Sequence, residues 1–330
     1  MSELTTIPFM TADPLESLEA APDRLATIIE KAEAHYGQRT LRIGDDLTRR
    51  WLAKTANPYR SDIEAVAKAV GRPGAIMLNM SYEWACTSGV NEPAGHPVLK
   101  RTLDWPLDGL GESLIVAARK GPAGGYLDVT WPGLVGVLTG LAKGRFAVVI
   151  NQPPLKKVLG HCWLDWAIGR ARLWRRKALP ATHLLRQVFE TCETFEEAKQ
   201  RLIETPLALP AFFTLAGVRP GEACVIERTE NSARLHMADD KGRVACANHY
   251  RAIPRKGHSR GNDSEGRLAL MKQVLQGDAA EFSWLQKPIL NPTTRLACVA
   301  DPTTGGLIVQ GFEKVAGEAV PATRIYRHSA

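Results

Sequence analysis

Runs of strand character in this chain come in two blocks, with helical stretches between and after them. That order restricts the fold more than any other feature. Pro97 to Leu103 alternates apolar and polar residues, and Glu112 to Ala118, Gly125 to Trp131 and Phe146 to Asn151 read as further strands. The apolar run Ala75 to Met80 also suits a buried strand. Gly133 to Leu141 reads either as a strand or as small residues lining a close backbone approach. Strand character returns at Phe212 to Ala216, Ala223 to Arg228, Ala233 to Met237 and Arg243 to Ala247, then at Arg295 to Ala300 and Leu307 to Val309. Helices are predicted over Asp23 to His35, where Leu25, Ile28, Ile29 and Ala32 share a face, and from a Ser61-Asp62 cap to Gly71. Others are predicted over Thr182 to Glu190, Phe195 to Leu202, and from an Asp263-Ser264 cap to Leu275. Blocks of strands with helices between and after them predict an α+β layered fold with antiparallel sheets. The first twenty residues are expected to be poorly ordered.

With 330 residues, 45% of them hydrophobic, the chain has ample material for a core. The formal charge of +7 comes without a dense Lys/Arg block, so nucleic acid is not an expected partner. An anionic or amphiphilic substrate fits the charge. The six cysteines, at 86, 162, 192, 224, 246 and 298, form no C-x-x-C pair and read as reduced thiols. The N-terminus lacks a secretory pattern, and the longest apolar run, Gly133 to Ala142, is too short to span a bilayer. These features predict a soluble, cytoplasmic chain. The histidines show no ligand spacing, so neither a metal nor a cofactor is expected. Trp163, Trp166 and Trp174 lie among Arg170, Arg172, Arg175, Arg176 and Lys177. Such a helix is expected to pack its tryptophans on the core and solvate its arginines. A surface that meets membranes or amphiphiles is the competing reading.

The residues richest in chemistry are YEWACTSGVNEPAGHPVLKRTLDW, 82 to 105. Cys86 stands where a strand meets a turn-rich segment, with Arg101 and Asp104 downstream. On pattern alone Cys86 reads as a small core residue. Arg101 and Asp104 fall on opposite faces of a regular strand, so a turn or bulge is expected to bring both to one site.

LNMSYEWACTSG followed by KRTLDW resembles the processing site of acid ceramidase and N-acylethanolamine acid amidase. The same arrangement occurs in conjugated bile salt hydrolases and penicillin acyltransferase. GVLTGLAKGRFAVVINQPP, the helical stretch THLLRQVFETCETFEEAKQRLIETPLALPAFF, VACANHY and NDSEGRLALM resemble later parts of that family in the same order, from about residue 60 to 275. Thr102 and Gly89 depart from the ceramidase pattern, and Asn-His-Tyr at 248–250 is closer to the penicillin acyltransferase branch. The resemblance implies the four-layer αββα sandwich of N-terminal-nucleophile hydrolases. It implies a prosegment, residues 1–85, and a catalytic part, residues 86–330, that stay associated after cleavage. It also implies roles. Cys86 would be the nucleophile, and Asp104 would hold its new ammonium. Arg101 would favour negative charge at the thiolate or the substrate oxygen. Asn151 and Asn248 would donate to the oxyanion, and Arg267, with Arg260 as its near competitor, would bring a second positive charge.

The chemistry is coherent on its own terms. A thiol attacks as thiolate and needs a base, which a chain-internal cysteine lacks. Breaking the Ala85–Cys86 bond would give Cys86 an α-amine of ordinary pKa about 7.7–8.0, neutral in useful part near pH 7. The expected activity is hydrolysis of a linear N-acyl amide through an acyl-thioester, with an amphiphilic small molecule among the substrates the charge allows. An acyltransferase using the same residues and a non-catalytic amphiphile-binding protein are the competing readings.

Overall fold

The computed structural model describes residues 4–81, 83–277 and 281–329. The chain begins with strand β1 (Phe9–Thr11) and helices α1 (Glu16–Ala20), α2 (Pro22–Tyr36), α3 (Gln38–Leu52), α4 (Arg60–Val70) and α5 (Ala75–Asn79). Strands β2 (Ala85–Asn91), β3 (Val98–Asp104), β4 (Ile115–Gly121), β5 (Gly124–Thr130), β6 (Thr139–Ala142), β7 (Phe146–Asn151) and β8 (Leu155–Lys156) follow. Helices α6 (Cys162–Trp174), α7 (Ala181–Thr191) and α8 (Phe195–Glu204) occupy the middle. Next come β9 (Ala211–Ala216), β10 (Ala223–Arg228), β11 (Ala233–Met237), β12 (Val244–Cys246), β13 (Gly257–His258) and helix α9 (Ser264–Val274). The chain closes with β14 (Thr294–Asp301), β15 (Gly306–Val315), β16 (Glu318–Pro321) and β17 (Tyr326–His328).

Two sheets result. One runs β1-β4-β5-β6-β7-β9-β10-β11, and the other β12-β2-β3-β14-β15-β16 with β17 also on β15. Their inner faces meet. Cys86, Leu103, Leu296 and Val309 of the smaller sheet share one core with Val116, Val149, Phe212 and Val225 of the larger. Outside the larger sheet, Phe146, Val148 and Phe213 meet Leu184, Leu185 and Phe189 of α7 and Leu202 of α8. Outside the smaller sheet, Ala245 and Val299 meet Leu268 and Met271 of α9 and Leu275 at its end. The layers are therefore helix, sheet, sheet, helix, as expected. The central strands β2, β3, β7 and β9 bury both faces, while the outer ones β1, β11 and β16 are largely exposed.

Gly89 shows how close the outer layer sits. A Cβ there would lie 2.7 Å from Leu275 Cδ1, 3.1 Å from Met271 Cγ and 3.2 Å from the carbonyl of Val244. The missing side chain lets α9 settle directly on β2, within reach of its backbone.

The structure departs from the sequence reading in several places. Ala75–Asn79 is a helix, not a strand. The carboxylate of Asp45, on α3, accepts the amides of Gly74 and Met77 at 2.8 Å each, so a distant side chain caps the turn. Helix α3, which turns Leu41, Asp45, Trp51 and Leu52 to the core, has no counterpart among the predicted helices. The first twenty residues are placed from Leu4 on. Strand β1 pairs parallel with β4, extending the larger sheet. Helix α4 starts from Tyr59 without a side-chain cap. Of Gly133 to Leu141, only the end from Thr139 is strand. A Cβ at Gly136 would lie 2.7 Å from Thr182 Cβ, so the glycine allows a close approach of α7.

The tryptophans of α6 do not enter the core. Trp163, Trp166 and Trp174 are 70%, 53% and 37% exposed. With Ala167 and Arg170 they follow i, i+3, i+4, i+7, i+11 spacing, so the aromatic stripe of the helix faces outward. The face turned inward is pinned by Asp165, whose carboxylate accepts the amides of Leu159 and Gly160 and is bridged by His258 at 2.7 Å. Among the described residues no helix is long and apolar enough to cross a membrane.

Candidate active site

Cys86 is the second residue of β2 and is fully buried. Alternation along β2 sends its side chain into the space between the sheets, opposite Leu103 of β3. There Arg101 donates through Nη2 to Sγ at 2.9 Å. The same guanidinium reaches the carbonyls of Leu138 and Ile150, at 3.4 and 3.3 Å, and the hydroxyl of Thr139. Burial pushes the thiol up to about 11. Asp104 adds to that, while Arg101 and Arg267 oppose it.

The other face of β2 carries Ala85 and Thr87, and Arg267 of α9 arrives from that side. Its Nη1 donates to the carbonyl of Cys86 at 2.7 Å and to Thr87 Oγ1 at 2.8 Å. Its Nη2 donates to Asn248 Oδ1 at 2.9 Å. Asp104, paired with Ala85 across the strands, lies 3.7 Å from Arg267 Nη1. Its Oδ1 accepts from Thr294 at 2.9 Å, and its buried Oδ2 has no hydrogen-bond donor among the described residues. Burial raises the Asp104 carboxyl, and Arg267 is the chief opposing charge.

The expected bulge in β3 is therefore not needed, because β3 pairs with β2 in unbroken register. Arg101 and Asp104 do lie on opposite faces, and the site uses both: one serves the thiol, the other faces the peptide bond before it and Arg267. The irregularity is in β14, whose register shifts between Thr294 and Leu296 and keeps Thr294 opposite Asp104.

Both asparagines are at the site, each held by hydrogen bonds within the protein. Asn248 Oδ1 accepts the N–H of Cys86 at 2.9 Å as well as Arg267, and its Nδ2 donates to the carbonyl of Gln152 at 2.7 Å. Two donors on one edge and an acceptor on the other fix the orientation of this amide. Asn151 Oδ1 accepts from Ser88, and its Nδ2 donates to the carbonyl of Ala247 at 3.2 Å, tying β7 to the segment that leads to Asn248. Both side-chain amides direct N–H groups to main-chain carbonyls, of Ala247 and of Gln152.

Arg267, not Arg260, carries its guanidinium to Cys86, and the carbonyl of Arg260 accepts from it at 3.4 Å. Gly261, at φ +66°, packs against Ala85. A Cβ there would lie 2.5 Å from that of Ala85. Sequence reasoning missed Thr139, Thr294, Ser88 and Ser264. Ser264 was read as part of a helix cap, yet its hydroxyl accepts the N–H of Asn248 at 2.8 Å. No local pattern distinguishes such hydroxyls from other strand and cap residues.

Beside the cluster lies a cavity of about 440 Å³. Glu83, Pro106 and Gln152, chain neighbours of Cys86, Asp104 and Asn151, form one side, and residues of α6 form another.

Residues 91–298, more than half of the chain, match the family described as acyl-coenzyme A:6-aminopenicillanic acid acyl-transferase. The chain belongs to this family. As a member it is 28% identical over 213 residues to acid ceramidase of Bos taurus, covering 58% of this chain and 52% of that protein. It is 27% identical over 239 residues to N-acylethanolamine-hydrolyzing acid amidase of Oryctolagus cuniculus, covering 65% and 63%. The chain spans about half the length of the curated acid ceramidases it matches. Among solved structures, a Caenorhabditis elegans N-acylethanolamine-hydrolyzing acid amidase ortholog matches at TM-score 0.49 and 20% identity, covering 66% of this chain and 93% of that one. Penicillin V acylase from Agrobacterium tumefaciens matches at 0.41 and 16%, covering 74% and 86%. At that distance the fold rests on its own layers and strand order.

Proposed function

We propose that this family member is a cysteine amidohydrolase that activates itself by breaking the Ala85–Cys86 bond. The observation that carries the reading is the set of contacts converging on Cys86. Arg101 lies on its thiol, Asn248 on its N–H and Arg267 on its carbonyl, and a carboxylate oxygen of Asp104, opposite Ala85, accepts no hydrogen bond and lies 3.7 Å from Arg267 Nη1. A buried acceptor without a donor is costly, and an ammonium formed at Cys86 would supply one.

In activation, Sγ adds to the Ala85 carbonyl carbon and the C–N bond breaks. The amine takes the thiol proton, and water then hydrolyses the thioester to a carboxylate on Ala85 and a free thiol. In turnover, the neutral amine accepts the thiol proton and Sγ adds to the substrate amide. The leaving amine takes the proton, and water releases the acid. Arg101 favours thiolate throughout.

The two fragments are proposed to remain together. Asn57, Tyr59 and Asp62, before the bond, meet His183, Glu190 and Arg186, after it, at 2.8, 2.6 and 2.9 Å. The outward tryptophan stripe of α6 with its arginines supports an amphiphilic substrate met at a membrane or micelle surface. Six free thiols are in keeping with a reducing compartment.

Intact-mass measurement and denaturing electrophoresis of purified protein test the reading. Fragments 1–85 and 86–330 are expected from the native chain and a single chain from Cys86→Ala, with N-acyl amide hydrolysis only from the former. A chain that stays whole while hydrolysing amides would overturn it. The family's acyl-transferase description favours one second reading: that the acyl-thioester passes to an amine. Product analysis with and without an amine acceptor separates the two.

A further inference from the structure

Helix α9 holds Asn248 at two points about one turn apart. The hydroxyl of Ser264, its first residue, accepts the backbone N–H of Asn248 at 2.8 Å. Arg267, on the same face of the helix, donates at 2.9 Å to the side-chain oxygen that also accepts the N–H of Cys86. The first hold has a third member. His249 Nδ1 lies 2.8 Å from the same Ser264 oxygen. A backbone N–H can only donate, so the oxygen receives Asn248 through a lone pair and has one proton left to give. Its other partner among the described residues is His249. The Nδ1 lone pair of a neutral imidazole takes that proton, which puts the ring's own proton on Nε2. Burial holds the pKa of His249 below the ordinary histidine value. Glu265 opposes this, Arg251 and Arg267 reinforce it, and Glu227 opposes it. Near neutral pH the ring is therefore the uncharged acceptor that the Ser264 proton needs.

We propose that His249 is a positioning residue for the chemistry at Cys86: by accepting the Ser264 hydroxyl proton it fixes that oxygen against the Asn248 N–H, and so keeps the Asn248 side-chain oxygen on the nitrogen of Cys86. The ring acts through Ser264 and Asn248, and its hydrogen bond goes to Ser264 and not to Cys86. The proposal rests on the reading of Cys86 as the nucleophile whose nitrogen becomes the amine. A proton on Nδ1 would turn the ring into a second donor to Ser264 and leave the hydroxyl proton without its acceptor. The hold on Asn248 then weakens as His249 becomes charged. His249 is thus a second ionisation on the acid side of the activity, beside the amine itself.

Two changes separate the hydrogen bond from the bulk of the ring. His249→Leu fills space but accepts nothing. His249→Asn sets an oxygen near the Nδ1 position and takes up no proton in the working range. In processed protein, kcat/KM for an N-acyl amide is expected to fall about tenfold in His249→Leu, the upper range for one hydrogen bond, and to return most of the way in His249→Asn. On the acid side, log kcat/KM of the native protein should steepen toward a slope of about two, because amine and imidazole both take up protons, while His249→Asn keeps a slope of about one. Full activity in His249→Leu, or the native slope in His249→Asn, would overturn the proposal while leaving the nucleophile in place. If the native protein turns nothing over, the reading of Cys86 fails instead, and hydrogen exchange decides the positioning role. In the unbroken Cys86→Ala chain, the N–H of residue 86 is expected to exchange about tenfold faster once His249→Leu is added, and to return toward the starting rate with His249→Asn. Equal exchange in all three chains sinks the proposal.

Discussion

The backbone N–H of Cys86 donates to Asn248 Oδ1 at 2.9 Å. That nitrogen is the one that becomes the α-amine if the chain is cut, so Asn248 already holds the proposed base before it exists. The remaining edge of its amide is spent on the carbonyl of Gln152. Asn248 is thus placed to orient the amine.

Replacing Asn248 with Asp tests this. A carboxylate beside the amine favours its charged form, so the acid limb of the kcat/KM profile, which reports the free enzyme, should move to higher pH. Asn248→Ala should slow cleavage and weaken activity without that upward move. The profiles are measured on fragments confirmed by mass. An Asp variant with the native profile would mean that the amine is held elsewhere.

Arg101 sits 2.9 Å from the thiol in a site where burial already raises the thiol to about 11 in the unbroken chain. Arg101→Gln removes the one guanidinium bonded directly to sulfur. In processed protein, the rate of iodoacetamide alkylation of Cys86 at neutral pH is expected to fall by about tenfold, with its midpoint moving to higher pH. Circular dichroism checks that the variant is folded. An unchanged rate profile would leave Arg101 a structural role only.

Asp104 and Arg267 are both buried and lie 3.7 Å apart. Asp104→Asn strands the guanidinium, and Arg267→Met strands the carboxylate. Each single change is expected to cost about 3–5 kcal/mol in urea unfolding. The double change should cost clearly less than the sum, since it leaves neither charge alone. Strict additivity would show that the two do not interact.

His183 is buried on α7 and accepts from Asn57, and burial lowers its pKa to about 3. Between the ordinary value near 6.5 and about 3, the unfolded chain takes up a proton that the folded chain does not. This residue's contribution to stability is therefore present above pH 6.5 and lost as pH falls toward 3. A His183→Gln chain lacks that loss, so its stability relative to the native chain should rise as pH drops from 6.5 to 4. Denaturant midpoints at each pH measure it, and a pH-independent difference would show that His183 takes up its proton equally in both states.

The amino-acid order alone was enough for the layered α+β class, for most strands from β3 on, and for the helices α2, α7, α8 and α9, because periodicity and caps are local signals. Only through its resemblance to a known family did the motif from Cys86 to Asp104, with the ordered segments behind it, nominate the six site residues. What it could not supply was anything set by a distant partner. Asp45 turned an apolar run into a helix by capping it from α3. The core had no room or need for the tryptophans of α6, and the Asp165 anchor turned them to solvent. The division of labour at the site was likewise decided in three dimensions. Strand alternation sent the thiol and Arg101 inward and left Asp104 facing Arg267, and the close seat of α9 on Gly89 allowed Arg267 to reach the Cys86 carbonyl. Which edge of Asn248 meets Cys86 depends on two donors and one carbonyl brought together from β2, α9 and the end of β7, and no local run of residues encodes such a meeting.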